Sequence, residues 1–216
     1  MKKILALILA GVMLLSFAAC GGNDVTEETT TEATVTEAPV EDTTEAAVEE
    51  STEAPASSDS AAADAAGLLN QVWAKFAEDE KFFAMGGHFS NPVDGAAGKY
   101  DITMVEDLDG SLGLPQANAA QIDDAASLMH AMNANTFTGA AYHLTAGTDA
   151  AAFATAIESH LAGRHWMCGI PETLLIVAVD GYVVTAFGAN DIVSNFKAKL
   201  TGEFASAQIL VEKPIA

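Results

Sequence analysis

Apolar side chains recur every three or four residues after Asp64, and this spacing predicts an amphipathic helix from residue 65. The face comprises Leu68, Leu69, Val72, Trp73 and Phe76. Asp64 belongs to the residue types that cap helix N-termini. A second short helix is predicted over 101–112, because Gly113 and Pro115 would end it. The stretch 85–92 between them contains two glycines and a proline, which favours a loop.

Beyond residue 115 the pattern switches repeatedly between strand and helix. The interpretation, in chain order, is helix to about Asp124, strand over 125–135, strand over 136–145, helix from a cap at Thr148 or Asp149 to Gly163, strands 173–179 and 182–187, helix capped by Asn190 or Asp191, and strand 207–212. The state of 125–134 is ambiguous, since alternation favours a strand and the alanines favour a helix. Asp180-Gly181 between two apolar runs is a strong hairpin signal.

The order of elements from residue 136 is strand, helix, strand, strand, helix, strand. That order is typical of the ferredoxin-like, split βαβ arrangement, an antiparallel sheet with both helices on one face. We therefore predict an α+β domain over 65–216, preceded by one or two N-terminal helices. Another closing geometry of the same elements stays open.

The first 19 residues have the organisation of an export signal. Lys2 and Lys3 precede an apolar run over 4–15, and the small residues Ala18 and Ala19 follow. The run is shorter than the roughly 20 residues that a membrane-spanning helix needs. Residues 1–19 are therefore predicted to be a signal peptide.

The segment Leu15-Ser16-Phe17-Ala18-Ala19-Cys20 resembles the lipobox of bacterial lipoproteins. Phe17 departs from the leucine that the family prefers at this position. The resemblance implies cleavage after Ala19 and attachment of fatty acyl chains, such as palmitate, to Cys20. An anchor of two or three acyl chains binds stably to a bilayer. The expected location is the outer face of the bacterial cytoplasmic membrane, with the membrane as a partner through Cys20.

The residues after the anchor have low complexity and are rich in Thr and Glu. Residues 23–64 contain 13 acidic residues and no basic one. Such a composition offers too few apolar side chains to offset the entropy of ordering the chain. Residues 20–64 are expected to be the lipid-modified cysteine followed by a disordered acidic linker.

Charge and composition exclude one class of partner. The whole chain has a net charge of −21, and residues 65–216 still carry −10, from seven basic and 17 acidic residues. Nucleic-acid modules need clustered Lys and Arg, so no nucleic-acid partner is expected. Alanine accounts for 43 of the 216 residues, which implies a modest core.

Four segments of the domain resemble an uncharacterised family found in lipid-anchored proteins of Gram-positive bacteria. They are Trp73 with Asp79-Glu80-Lys81, Met132-Asn133-Ala134-Asn135-Thr136-Phe137, Trp166-Met167-Cys168-Gly169, and Gly181-Tyr182-Val183-Val184. The resemblance implies a cell-surface lipoprotein and no assigned activity. Some similar chains are described as bacteriocin transport accessory proteins, which would suggest a thioredoxin-like role. The chain has no Cys-x-x-Cys, so that role is discounted.

Candidate chemistry centres on His165 and Cys168. If Cys20 is lipid-modified, Cys168 is an unpaired thiol outside the cell. One hypothesis is a reactive thiolate beside His165, and the favoured alternative is a buried Cys168 that packs as a small apolar residue. The segments 129–132 and 165–168 also hold Met, His and Cys ligands suited to copper, provided that the two segments meet.

No catalytic motif, cofactor fingerprint or paired-cysteine metal motif is present in the sequence. The leading hypothesis is therefore a non-catalytic binding or assembly module, tethered outside the membrane, with an unknown protein or small-molecule partner and no cofactor. The alternative is a thiol-redox or copper- or zinc-binding module centred on His165 and Cys168. A solute-binding role is a third hypothesis, which a deep pocket at the predicted hairpin would support.

Overall fold

A computed structural model describes residues 62–215. The predicted signal peptide, Cys20 and nearly all of the predicted linker lie outside the described residues. The helices are α1 (Ala65–Ala74), α2 (Val105–Asp107), α3 (Ala150–Ala162) and α4 (Asn190–Glu203), with a π-helical turn at Leu108–Leu112 and a 3-10 helix at Gln116–Gln121. The strands are β1 (Ala84–Gly86), β2 (Val93–Asp94), β3 (Gly98–Lys99), β4 (Ile122–His130), β5 (Phe137–Leu144), β6 (Thr173–Val179), β7 (Tyr182–Gly188) and β8 (Gln208–Pro214).

The eight strands form one open antiparallel sheet, so the described chain is α+β. The strand order is β2-β1-β4-β5-β7-β6-β8, and β3 also pairs with β4. The β6–β7 pairing runs from Thr173 opposite Gly188 to Val179 opposite Tyr182. Asp180 and Gly181 form the turn with φ of 46° and 86°, as the sequence predicts. Two successive positive φ values are typical of the turns that join tight hairpins.

Helices cover both faces of the sheet. Alternate side chains of each central strand point to opposite faces. On β6, Leu175 and Val177 pack in the cluster that contains α1 and α4, whereas Leu174 and Ile176 pack in the cluster that contains α3 and the 105–114 segment. Burial on both faces explains why β6 and β7 read as continuous apolar runs rather than alternating ones.

The ferredoxin-like arrangement is not confirmed. The unit β5-α3-β6 is a split βαβ with β7 between its strands, as predicted, but β8 pairs with β6 and not with β5. In a ferredoxin-like sheet the fourth strand would pair with the edge of β5 that faces away from β7. Here β4 pairs with that edge. The two crossover connections, β5-α3-β6 and β7-α4-β8, therefore pass across the sheet in the same direction. Their first strands, β5 and β7, run antiparallel to each other. With a constant right-handed crossover, this places α3 and α4 on opposite faces, so the prediction of helices on one face is wrong.

The local predictions hold in part. The helix predicted to about Asp124 is wrong, because a 3-10 helix ends at Gln121 and β4 begins at Ile122, and the helix predicted over 101–112 is α-helical only at Val105–Asp107. Asp64 caps α1 by accepting a hydrogen bond from the Gly67 amide at 2.7 Å, and Asp149 caps α3 through the Ala152 amide at 2.9 Å. The predicted loop 85–92 is wrong at its start, because β1 pairs with β4 there. No side-chain cap is formed at α4, which begins at the residue after Ala189. None of the helices within 62–215 is both long and apolar enough to cross a bilayer.

Candidate functional site

Two segments that are distant in sequence meet at one end of the sheet. The β4–β5 turn holds the loop before β6 through two amide side chains. Asn135 Nδ2 donates hydrogen bonds to the carbonyl oxygens of Met167 at 2.5 Å and Gly169 at 2.8 Å, and Asn133 Nδ2 donates to that of Cys168 at 3.4 Å. Residues 130–135 and 167–169 therefore form one surface. In the sequence analysis, a contact between these two parts of the chain is only a condition of the copper hypothesis.

Large apolar side chains are exposed at this end of the sheet. Their exposed fractions range from 59% for Ile170 to 78% for Met132, and the group, named here the loop-end surface, is Phe83, Phe89, Met132, Met167 and Ile170. Phe83 adjoins the β4–β5 turn, because its carbonyl accepts a hydrogen bond from the Ala131 amide at 2.8 Å. Five of the eight large apolar side chains that are exposed within 62–215 thus lie together.

Two shallow hollows run through the loop-end surface. One, of about 200 Å³, is lined by residues that include Met85, Phe89 and Met132. The other, of about 190 Å³, is lined by residues that include Cys168 and Ile170. Asn133 lines both hollows, so they are neighbours on this surface. Neither is large enough to enclose a drug-sized ligand, and both suit single apolar side chains of a partner.

The structure places Cys168 on the surface. Its side chain is exposed and its backbone has a φ of 63°, so the prediction of a buried Cys168 is wrong. His165 is exposed as well. Within residues 62–215, no hydrogen bond or ion pair joins His165 to Cys168, and no three His, Cys, Asp or Glu side chains form a group that could hold a metal ion.

Three of the five histidines are paired with aspartates. His88 Nε2 lies 2.9 Å from Asp107, His160 Nε2 lies 2.6 Å from Asp109, and His143 Nδ1 contacts Asp123. The fourth, His130, accepts hydrogen bonds at Nδ1 from the amides of Met132 and Asn133 and so stabilises the β4–β5 turn. These contacts explain four of the five histidines locally and do not bring them together.

A hydrogen-bonded chain of Ser90, His88 and Asp107 lies beside β1. Ser90 Oγ lies 2.7 Å from His88 Nδ1, and His88 Nε2 lies 2.9 Å from Asp107 Oδ2. His88 is buried, whereas Ser90 is exposed. The sequence analysis missed this set, because the only sequence signal is a serine two residues after a histidine, and the aspartate comes 19 residues later from α2.

A further hollow of about 390 Å³ lies beside the Asp180-Gly181 hairpin, where the solute-binding hypothesis predicts a deep pocket. The hollow is lined by residues of two turns and by Thr145, Tyr182 and Gln208. The hollow is open to solvent, and no charged side chain other than that of Asp180 lines it. It is not the deep pocket that the solute-binding hypothesis requires.

The basic side chains of the domain are all engaged. Each of the six lysines within 62–215 forms an ion pair, and Arg164 donates to the carbonyl oxygens of Asp109 and Gly110. The excess acidic side chains are left to solvent. The described surface therefore has a negative character that no free cluster of basic residues interrupts.

Comparisons with protein-family models, with curated proteins and with solved structures found no match to this chain.

Proposed function

We propose that this protein is a lipid-anchored binding or assembly module outside the bacterial cytoplasmic membrane. Its loop-end surface docks an apolar segment of an exported protein, flanked by Lys or Arg. The observation that carries the proposal is the group of five large apolar side chains exposed at one end of the sheet, beside two neighbouring hollows.

The apolar character of the loop-end surface supports docking. Contiguous exposed apolar side chains on a monomer typically mark an interaction site, and methionine adapts its flexible side chain to different partners. Burying each of these side chains would contribute about 1.5 to 3 kcal/mol before the costs of association are subtracted. The two asparagines hold the surface in place, so a partner does not have to order the 167–169 loop.

The charge of the domain supports a basic flank on the partner. Residues 65–216 carry −10, and the described lysines are already paired with carboxylates. Complementary potentials raise association rates and disfavour wrong partners. Polyanions such as charged wall polymers are disfavoured for the same reason.

Photo-crosslinking in intact cells tests the docking surface. A photoreactive amino acid replaces Met132 or Met167 in the full chain, and the control replaces Ile209, which is 47% exposed on β8. We expect positions 132 and 167 to capture the same exported protein, through a segment that is apolar with basic residues beside it. A synthetic peptide of that segment should bind the full chain and lose at least tenfold in affinity to M132D, corresponding to about 1.4 kcal/mol.

Three results would overturn the docking proposal. One is equal capture from position 209, which would show non-specific adhesion. Another is a captured segment that is acidic or fully polar. The third is equal binding of the synthetic peptide to the unchanged chain and to M132D, since the loop-end surface would then not form the interface.

The lipid anchor is supported by the segment that ends at Cys20, and a pair of cysteine variants tests it. Cells are fed a clickable fatty acid, and the full chain is compared with C20S and C168S. We expect C20S to lose both the label and membrane association, and C168S to keep both. Label on C20S, or its absence from the unchanged chain, would remove the anchor from the proposal and leave the docking surface untouched.

The thiol and metal alternative rests on the exposure of Cys168 and on the contact between 130–135 and 167–169. A metal that binds only the folded chain raises its melting temperature. If the alternative holds, Cu⁺ or Zn²⁺ raises the melting temperature of C20S and not that of C20S/C168S. Equal melting curves with and without these ions would remove the metal form of the alternative.

A further inference from the structure

We propose that Ser90 is a nucleophile, activated by His88 and Asp107, that accepts acyl groups from unhindered carboxylic esters. This would be a catalytic activity in addition to docking. The site adjoins the loop-end surface at Phe89, but Ser90, His88 and Asp107 do not belong to that surface. It rests on the hydrogen-bonded chain from Ser90 Oγ through the imidazole to Asp107 Oδ2.

The backbone determines which nitrogen of His88 can act as the base. The Ser90 amide donates a hydrogen bond to His88 Nδ1 at 3.2 Å, and an amide can only donate. Nδ1 therefore carries the lone pair, and the proton is on Nε2, where it is donated to Asp107. The Ser90 hydroxyl then donates to the same lone pair. A serine, a neutral imidazole and an orienting carboxylate have the roles required for nucleophilic catalysis.

The roles of the two imidazole nitrogens are exchanged relative to the familiar serine hydrolases. There the serine contacts Nε2, whereas here Ser90 contacts Nδ1 and Nε2 contacts the aspartate. The chemistry does not depend on this choice, because either nitrogen of a neutral imidazole can accept a proton while the other donates. Recognition of such a set depends on geometry and roles rather than on sequence position.

The surroundings hold the imidazole in one orientation. His88 is 8% exposed, and the Tyr100 ring meets it edge-on with 5.1 Å between ring centroids. The preceding Gly87 has a φ of 81°, and a Cβ there would lie 2.9 Å from the Asn91 carbonyl oxygen, so only glycine allows this turn. The Ser127 hydroxyl donates to the Gly87 carbonyl at 3.3 Å. The base is thus fixed, while the exposed Ser90 is open to a substrate.

The proposed reaction transfers an acyl group in two steps. A bond forms between Ser90 Oγ and the acyl carbon of the ester, and the bond from that carbon to the alkoxy oxygen breaks. The serine proton passes to His88 Nδ1 and then to the leaving alcohol. Water attacks the acyl-serine in the second step, gives its proton to Nδ1, and releases the acid as the proton returns to Ser90.

Labelling with a fluorophosphonate tests the nucleophile. In this reaction Ser90 Oγ displaces fluoride from phosphorus, and the serine proton leaves with it through His88. The full chain is compared with S90A, D107N and S206A, where Ser206 is an exposed serine that forms no hydrogen bond with a histidine of residues 62–215. Trypsin releases residues 82–99 as one peptide whose only serine is Ser90, so mass spectrometry locates the adduct without ambiguity.

We expect the adduct on peptide 82–99 of the unchanged chain and of S206A, and its absence from S90A. The D107N variant keeps the shape of the side chain and loses its charge, so labelling should slow by roughly tenfold or more. The rate of 4-nitrophenyl acetate hydrolysis should be highest for the unchanged chain and S206A, lower for D107N and lowest for S90A. A purely structural hydrogen bond would change none of these rates.

Three outcomes would overturn the proposal. In the first, the folded chain is labelled no faster than the urea-unfolded chain. In the second, every adduct lies outside peptide 82–99. In the third, the unchanged chain and D107N are labelled at equal rates and have equal melting curves. None of them bears on the docking surface, because the crosslinking positions are 132 and 167.

Discussion

Cys168 has an exposed thiol. It lies in a loop whose carbonyl oxygens accept hydrogen bonds from two asparagine side chains. Because the side chain is exposed, we expect a thiol reagent to modify it in the folded protein. The measurement is the reaction rate of C20S, in which Cys168 is the only cysteine, with a disulfide reagent before and after unfolding in urea. The two rates should agree within about tenfold, since the reactivity of a thiol follows its exposure and thiolate character.

Protection in the folded state would contradict that expectation. If the thiol of C20S reacted only after unfolding, Cys168 would be buried in solution, and the thiol-redox alternative would lose its basis. The double variant C20S/C168S gives the background rate.

The three tyrosines make the stability of the domain sensitive to alkaline pH. Burial raises the pKa of the Tyr142 phenol, whose hydroxyl donates to the Leu112 carbonyl at 3.1 Å, and burial also raises the pKa of Tyr100 and Tyr182. The unfolded chain loses its phenol protons near pH ~10, before the folded chain does. Deprotonation therefore favours the unfolded state, and the stability present below about pH 10 declines as the pH rises above it.

Urea unfolding at a series of pH values from about 8 to about 11 measures this decline. Y142F should show a shallower fall than the unchanged chain, although it loses the hydrogen bond to Leu112. The ion pairs of Lys99 with Asp124 and Asp64 raise the pKa of that lysine, so it contributes to the decline in both proteins. An equal slope in both proteins would show that Tyr142 is not the group responsible.

At the scale of single elements, the N-cap of α3 offers a direct test of a local prediction. Asp149 Oδ1 accepts a hydrogen bond from the Ala152 amide at 2.9 Å, and the side chain is exposed, so little else depends on it. We expect D149A to lower the free energy of unfolding by about 1 kcal/mol, and D149N, which keeps a capping oxygen, to lower it by only a few tenths. Urea unfolding of the three chains measures the difference.

The same two variants separate capping from charge. If D149N were as destabilising as D149A, the carboxylate charge rather than the hydrogen bond would account for the effect, as in an interaction with the helix dipole.

Elements whose signals are local could be predicted from the sequence, and those that depend on distant partners could not. The cap at Asp64 and the turn at Asp180-Gly181 are decided by neighbouring residues. The three-residue strand β1 exists only because β4 lies beside it, and the glycines around it look like loop residues. The pairing of β8 with β6 likewise depends on β4 occupying the edge of β5.

The candidate site has the same limitation. The sequence identifies Cys168 as an unpaired thiol, but the loop that carries it is held by Asn133 and Asn135, which lie about 30 residues away in the chain. Ser90 and His88 are close in sequence, yet the carboxylate that completes the set comes from α2. Sequence spacing identifies residue types and not which distant side chains meet.

At the scale of the whole molecule, the central strands join two apolar layers. Strands β4 to β7 supply alternate side chains to the cluster with α1 and α4 and to the cluster with α3. Removing either layer would expose one face of the four central strands. The two layers should therefore unfold together in a single cooperative transition, as most domains of this size do.

The two tryptophans report on this coupling, because one lies in each layer. Trp73 packs against Phe76 and Phe82 in the α1 layer, and Trp166 packs against Phe187 in the α3 layer. In W166F only Trp73 fluoresces, and in W73F only Trp166 does. Within each variant, the urea midpoint from fluorescence should equal that from far-ultraviolet circular dichroism. Because each comparison is made within one protein, any stability lost through the substitution cancels, and a fluorescence midpoint that precedes the dichroism midpoint would show that its layer unfolds separately from the sheet.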